Sequence, residues 1–232
     1  MLISRRLNKM PRRTNGSRGK GKTIIRVFCE GETEQAYTEF LKKQFADVAV
    51  IKYPKETGLF DEANNRFAKD PQYRDYAEVI DEVWFFFDVE TKDIGLWDHR
   101  LKIIKKLRKL RRDPNIKVRL LMTTGCIEYW LMLHYKKYAP PIQTEADKAR
   151  VIKEVVEKEP TYKKGDYPST AKIAENFPTA IANAKWTLVN LLSDGMPGIE
   201  DTDERNQWLC KNCYTFSNVF EAFEFLQSHL VV

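Results

Sequence analysis

The sequence predicts an α/β domain: a central, mostly parallel sheet of about four strands, helices on both faces, and a helical C-terminal half. Three observations carry this expectation. Ile24–Cys29 (IIRVFC) and Val83–Phe87 (VWFFF) are apolar runs with little alternation, which suits strands covered on both faces. Each run stops abruptly on acids, Glu30 in the first case and Asp88 with Glu90 in the second. Between and after them, apolar residues recur at helical spacing. Ligands of parallel sheets sit beyond the carboxyl ends of the strands, so Glu30, Asp88 and Glu90 are expected at one crevice.

Taken in order, Gly16–Thr23 (GSRGKGKT) matches the phosphate-loop pattern formally, but a basic segment precedes it and a β-branched strand follows. The phosphate loop needs a strand before and a helix after, so the match is read as a coincidence. After Glu30-Gly31 the chain is expected to turn into a helix, Glu32–Phe45, with Tyr37, Phe40, Leu41 and Phe45 on one face and Thr33 as N-cap. Gly31 allows the close turn, while Glu32 and Glu34 are read first as acids that complement a helix N-terminus. Val48–Tyr53 is a short strand, 62–69 has weak helical character, and Ile80–Phe87 reads as the central strand. Asp98 is placed as the cap of a helix to Arg112, with Leu101, Ile104, Leu107 and Leu110 as its buried stripe. Lys117–Met122 is a fourth strand, and Cys126–Tyr138 a helix. On that helix Glu128 and His134 point about 120° apart, so they cannot easily serve one ion together. A core role for His134 stands beside a supporting one.

Beyond Pro140-Pro141, Glu145–Glu159 is a mixed-charge helix with an apolar strip at Ala149, Ile152 and Val156. Thr161–Thr170 (TYKKGDYPST) is a turn in which Tyr162 and Tyr167 interleave with Lys163 and Lys164. Such rings and lysines can stack bases and hold phosphates, and a surface turn without a ligand fits equally. Pro178 suits the first turn of a helix to Leu192, 193–207 reads as a mobile loop, and Ser217 or Asn218 caps a last helix. Cys210 and Cys213 have zinc-ligand spacing, but no second such pair exists.

Composition sets further bounds. The net charge is +6, yet residues 1–22 hold eight Lys or Arg and no acid, leaving 31 basic and 33 acidic residues in the remainder, a balance of −2. Residues 1–22 are therefore expected to be a disordered basic tail attracted to phosphates, 23–138 an α/β core, and 139–232 a mainly helical extension packed on it. Eight Lys or Arg between Arg100 and Arg112 form either a solvated face or a phosphate-backbone contact, through Lys102, Lys105, Lys106, Lys109 and Arg112. The longest early apolar run is Met1–Ile3, and no stretch approaches the ~20 apolar residues of a membrane span, so a cytoplasmic protein without membrane partners is expected. Four cysteines fit reduced thiols better than a disulfide framework.

The acids carry the chemistry. Asp88 and Glu90 are two residues apart, so an extended backbone points both to one side, roughly 7 Å apart at Cα. Two unit charges ~4 Å apart repel by about 4 kcal/mol at an effective dielectric near 20, and oxygen ligands favour Mg²⁺ or Mn²⁺ as the offset. A strand ending in Glu-Gly and a later one ending in Asp-x-Asp resemble the Toprim nucleases and topoisomerases. More narrowly, CEGETE at 29–34, FFFDVET at 85–91 and CIEYWLMLHY at 126–135 resemble, in that order, the RloB-like family of bacterial anti-phage proteins. The resemblance covers roughly residues 24 to 138, with weaker echoes in TYKKGDY and the C-terminal helix. This chain departs from the family pattern in having Glu90 where Asp is usual, and TTGCIE where Asn-Pro tends to precede the Cys.

The resemblance implies a Toprim-like fold and Mg²⁺- or Mn²⁺-dependent hydrolysis of phosphodiester bonds in nucleic acid. RNA, with tRNA the sharper guess, is favoured over DNA, in the setting of anti-phage defence by abortive infection. It implies Glu30, Asp88 and Glu90 as metal ligands and catalytic acids, with Glu128 a further ligand or loop orienter, and Gly31, Glu34 and His134 in support. Glu30 would bind a second ion or act as general acid/base. An ATPase partner follows by family analogy. Two alternatives stay open: a nucleic-acid-binding sensor without catalysis, and a Toprim enzyme of another reaction.

Overall fold

The computed structural model describes residues 21–230. The basic segment 1–20, and with it most of the expected tail and of the phosphate-loop string, lies outside the described residues. The strands are β1 Thr23–Cys29, β2 Ala49–Lys52, β3 Glu82–Val89 and β4 Lys117–Thr124. The first helices are α1 Glu32–Gln44, α2 Phe60–Lys69, the single turn α3 Pro71–Arg74, α4 Trp97–Arg108 and α5 Ile127–Met132. They are followed by α6 Glu145–Lys158, α7 Tyr167–Ala174, α8 Phe177–Asn190, α9 Asp203–Asn212 and α10 Phe220–Gln227. No helix among the described residues is long and apolar enough to cross a membrane.

All four strands are parallel, in the order β2-β1-β3-β4. The chain therefore steps outward from β1 to β2, returns across β1 to β3, and continues to β4. Its direction of progress reverses between β1 and β3, which is where an open, Rossmann-like α/β sheet leaves a crevice beyond its carboxyl edge. Glu30 directly follows β1, and Asp88 is the penultimate residue of β3.

The two faces of β3 follow from side-chain alternation. Trp84 and Phe86 meet Phe225 of α10 and Tyr37 of α1 on one face. Phe85 and Phe87 meet Phe60 of α2 on the other, Phe60 stacking 4.1 Å from Phe85 between centroids. Both faces are covered, which is why VWFFF shows no polar alternation. The helical half adds Val151, Val155, Ile173, Ala184 and Phe223 to the same buried cluster.

Several local expectations need correction. The N-cap of α1 is Gly31 rather than Thr33, whose hydroxyl instead accepts the Gly165 amide at 2.9 Å. Asp98 lies inside the first turn of α4, because a 3-10 turn over Thr91–Leu96 leads into the helix at Trp97. The helix drawn over 126–138 is only α5 long. In α6 the buried residues are Val151 and Val155, while Val156 is exposed, so the apolar strip is turned from Ala149, Ile152 and Val156. The stretch 193–207 is not all loop, since Thr202 caps α9 at the Arg205 amide. Asn218 does not cap α10; its side chain accepts from Met122 N and donates to Leu120 O, extending the order of β4.

Candidate active site

Five acids surround the crevice beyond β1 and β3. Glu30 follows β1, Glu34 sits in the first turn of α1, Asp88 ends β3 with Glu90 just after it, and Glu128 lies in the first turn of α5. Side-chain alternation carries Asp88 to the face shared by Trp84 and Phe86, the face covered by α1 and α5. Glu30 Oε2 accepts the Asp88 amide at 2.9 Å, which ties the ends of the two strands together. A Cβ at Gly31 would lie 2.9 Å from Glu34 Oε2, so a larger residue there would displace that carboxylate.

Burial and mutual repulsion set the protonation of these acids. Burial pushes the Asp88 carboxyl well above its usual range, and the charges of Glu34, Glu30, Glu128 and Glu90 add to this. Burial likewise takes Glu34 up to about 7, against the pull of its own amide and with further push from Glu30 and Glu128. Glu30 is raised by burial, opposed by the Asp88 amide. Among the described residues, two buried carboxylate oxygens, Asp88 Oδ1 and Glu128 Oε2, have no hydrogen-bond partner, and Glu128 is 0% exposed. Such orphaned acceptors cost about 1–3 kcal/mol each or more when charged, and an arriving cation would relieve both.

The other oxygen of Glu128 and one of Glu90 are engaged. Glu128 Oε1 accepts from Tyr162 Oη at 2.8 Å and lies 3.5 Å from Lys164 Nζ. Glu90 faces Lys92 and Lys148, each 3.1 Å away. Burial alone would raise its carboxyl, but hydrogen bonds from those lysines outweigh this and hold Glu90 below its usual range. Among the described residues, no three Asp, Glu, His or Cys side chains already converge to hold an ion. Glu90 in particular would have to exchange lysines for metal. The donor set itself suits a hard divalent cation, being carboxylate oxygen throughout, with the Cys126 thiol beside Glu128 kept protonated by burial.

A family model for RloB-like proteins matches residues 25–198, three quarters of the chain. The chain belongs to the RloB-like family. The match runs past the three recognised strings to include α6, α7 and α8, and it contains every acid of the crevice together with Lys148, Tyr162 and Lys164. No curated protein and no solved structure matches the chain.

Elsewhere in this RloB-like protein the structure separates residues that sequence reasoning had grouped. His134 is fully buried between the Tyr37 hydroxyl and the Trp130 carbonyl, 3.1 and 3.0 Å away, and burial lowers it to about 4. It is a neutral core residue with no contact to Glu128. Tyr162 is buried with its hydroxyl on Glu128, so it offers no ring for a base to stack on. Cys210 is buried with its thiol toward Met122 Sδ at 3.6 Å, and Cys213 is also buried.

The basic helix points away from the acids. Arg100 is buried against Asp93, Arg108 makes a two-bonded pair with Asp203, and Arg111 pairs with Asp81, just before β3. The C-terminal turns of α4 therefore lie at the amino edge of the sheet, ~15 Å of helix from the crevice at 1.5 Å per residue. Lys102, Lys105, Lys106, Lys109 and Arg112 are exposed along that route, with Lys106 bonded to Asn64 at 2.6 Å. For Lys109 and Arg112, at the far end, closeness to Asp88 in sequence does not become closeness in space. A cleft of about 430 Å³ lined by Arg119, Lys185, Phe220 and Glu224 is separate again and contains none of the candidate acids.

Among the described residues, the cations that reach the crevice come from Lys92, Lys148 and Lys164. Sequence reasoning missed Lys148 because α6 looked like an ordinary exposed helix. Its position one turn before Val151 and two turns before Val155 on the buried face was the available signal.

Proposed function

We propose that this RloB-like protein is a divalent-cation-dependent phosphodiesterase acting on nucleic acid, built on a Toprim-like variant of the α/β fold. The observation that supports this best is the pair of orphaned buried oxygens on Asp88 and Glu128, inside a group of acids at the reversal point of the sheet. Asp88, Glu128 and Glu30 are the residues that would hold Mg²⁺ or Mn²⁺. A bound ion would neutralise charge on the scissile phosphate and acidify a water. Glu34, held near neutrality by its burial, can keep or give up a proton at its carboxyl and suits a general acid or base. The Asp88 amide orients Glu30. Tyr162 orients Glu128 by bonding one of its oxygens, leaving the other toward the acids.

RNA, an ATPase partner and a role in anti-phage defence rest on family resemblance. The buried Tyr162 removes one of the reasons for preferring RNA, and tRNA stays the first substrate to try. One observation favours a second reading, binding without cleavage: Glu90 and Glu128 already have lysine partners. Incubation of wild type, E30Q and D88N with total RNA, plasmid and oligonucleotides in Mg²⁺, Mn²⁺ or EDTA separates the two. Hydrolysis requires the metal and falls by about 10²–10⁴-fold in the variants, the range of a lost catalytic acid or base. Equal cleavage by all three proteins, or nucleic-acid binding with no cleavage in any metal, would overturn it.

A further inference from the structure

The segment joining α6 to α7 is fastened over the acids at both ends. Tyr162 is buried on Glu128, and the Gly165 amide bonds Thr33 in the first turn of α1. Gly165 has φ +73° and a Cβ there would lie 2.9 Å from Glu32, so glycine lets the backbone pass this close. Between these two anchors stands Lys164. Its side chain is 61% exposed, yet its ammonium reaches within 3.5 Å of a carboxylate that has no exposure at all. The backbone on either side is fixed while the four-carbon stem is free to swing.

Four acids crowd this spot. Glu30, Glu34, Asp88 and Glu128 share one electrostatic neighbourhood, and Lys164, 3.5 Å from Glu128 Oε1, acts on Glu34 as well. Asp88 Oδ1 and Glu128 Oε2 have no hydrogen-bond partner among the described residues. A divalent ion carries twice the charge and can accept several oxygens at once, so it would compete successfully with the ammonium. The displaced lysine would stay tethered at the mouth of the crevice, where a substrate phosphate has to arrive.

Resting on the reading that these acids bind a divalent cation, we propose that Lys164 is an exchangeable counter-ion. It neutralises Glu128 while the metal is absent, yields to the metal, and then binds a phosphate of the nucleic-acid chain. The two stages make opposite demands on one side chain. Removing its charge should tighten metal binding and weaken nucleic-acid binding, whereas a residue that merely supports the loop would weaken both.

The test measures Mn²⁺ affinity by calorimetry, and affinity for a fluorescein-labelled oligoribonucleotide in Ca²⁺, for wild type, K164M, K164R and D88N. Melting curves establish folding. For K164M, Mn²⁺ should bind roughly three- to tenfold tighter and the oligoribonucleotide weaker by a similar factor, the scale of losing one partly exposed charge pair. K164R, which keeps the charge, should stay near wild type on both. Mn²⁺ binding that is abolished in D88N but unchanged or weakened in K164M overturns the role of Lys164 and leaves the metal site standing. Equal or absent Mn²⁺ binding in wild type and D88N overturns the metal site and this proposal together.

Discussion

Glu34 and His134 show how single residues write the pH behaviour of the protein. Glu34 is held at about 7, above its unfolded value, so between roughly pH 4.3 and 7 the native state keeps a proton that the unfolded chain has lost. Its contribution falls as pH rises through that window, with a slope no steeper than ~1.4 kcal/mol per pH unit. Asp88 acts in the same direction. His134 acts oppositely: lowered to about 4, its stabilising contribution is present above its unfolded value near 6.5 and is lost as pH falls. Melting experiments without divalent cation should therefore show wild type losing stability relative to E34Q as pH rises from about 5 to 7, with the difference reduced in millimolar Mg²⁺. Parallel profiles for wild type and E34Q across that range would contradict the buried acid cluster.

At the scale of elements, the turn from β4 into α5 decides where Glu128 goes. Gly125 adopts φ +77°, and the Ile142 side chain stands where a Cβ would be. G125A should cost about 2–4 kcal/mol by urea denaturation, combining left-handed strain with overpacking. G195A, also at positive φ but with nothing within 4 Å, should cost about 1–2 kcal/mol. Equal costs would mean that Ile142 moves aside freely. The strands β1 and β3 and the acids at their ends were legible because burial on both faces removes alternation and the apolar run then stops on a charge. The arrival of Tyr162 and Lys164 at Glu128 was not, because a contact across 34 residues leaves no local pattern. The α6 strip was misassigned by one step since Val151 with Val155 and Ile152 with Val156 have the same spacing, and only packing chooses between them.

Across the whole molecule, the chain beyond the family match is fastened by a buried ion pair. Arg205 is 1% exposed and bonds Glu221, Asn206, Asp201 and the Ile199 carbonyl, joining α9 to α10. R205A should destabilise by about 3–5 kcal/mol, because Glu221 would be left buried without its cation, while R205M/E221L should come much closer to wild type. A small loss in R205A would show that water reaches the pair. This helix was invisible in the sequence because its buried face carries Arg205 and Asn206 beside Leu209 and Cys210, the reverse of an apolar stripe. The sheet order was likewise not readable from the strands alone, yet it is the order that brings Glu30 and Asp88 to one crevice. Anomalous diffraction at the manganese edge from Mn²⁺-soaked crystals tests that crevice most directly. A manganese peak bonded to carboxylate oxygens of Asp88 and Glu128, and absent in D88N, is the expected result; no peak among these acids at saturating Mn²⁺ would contradict it.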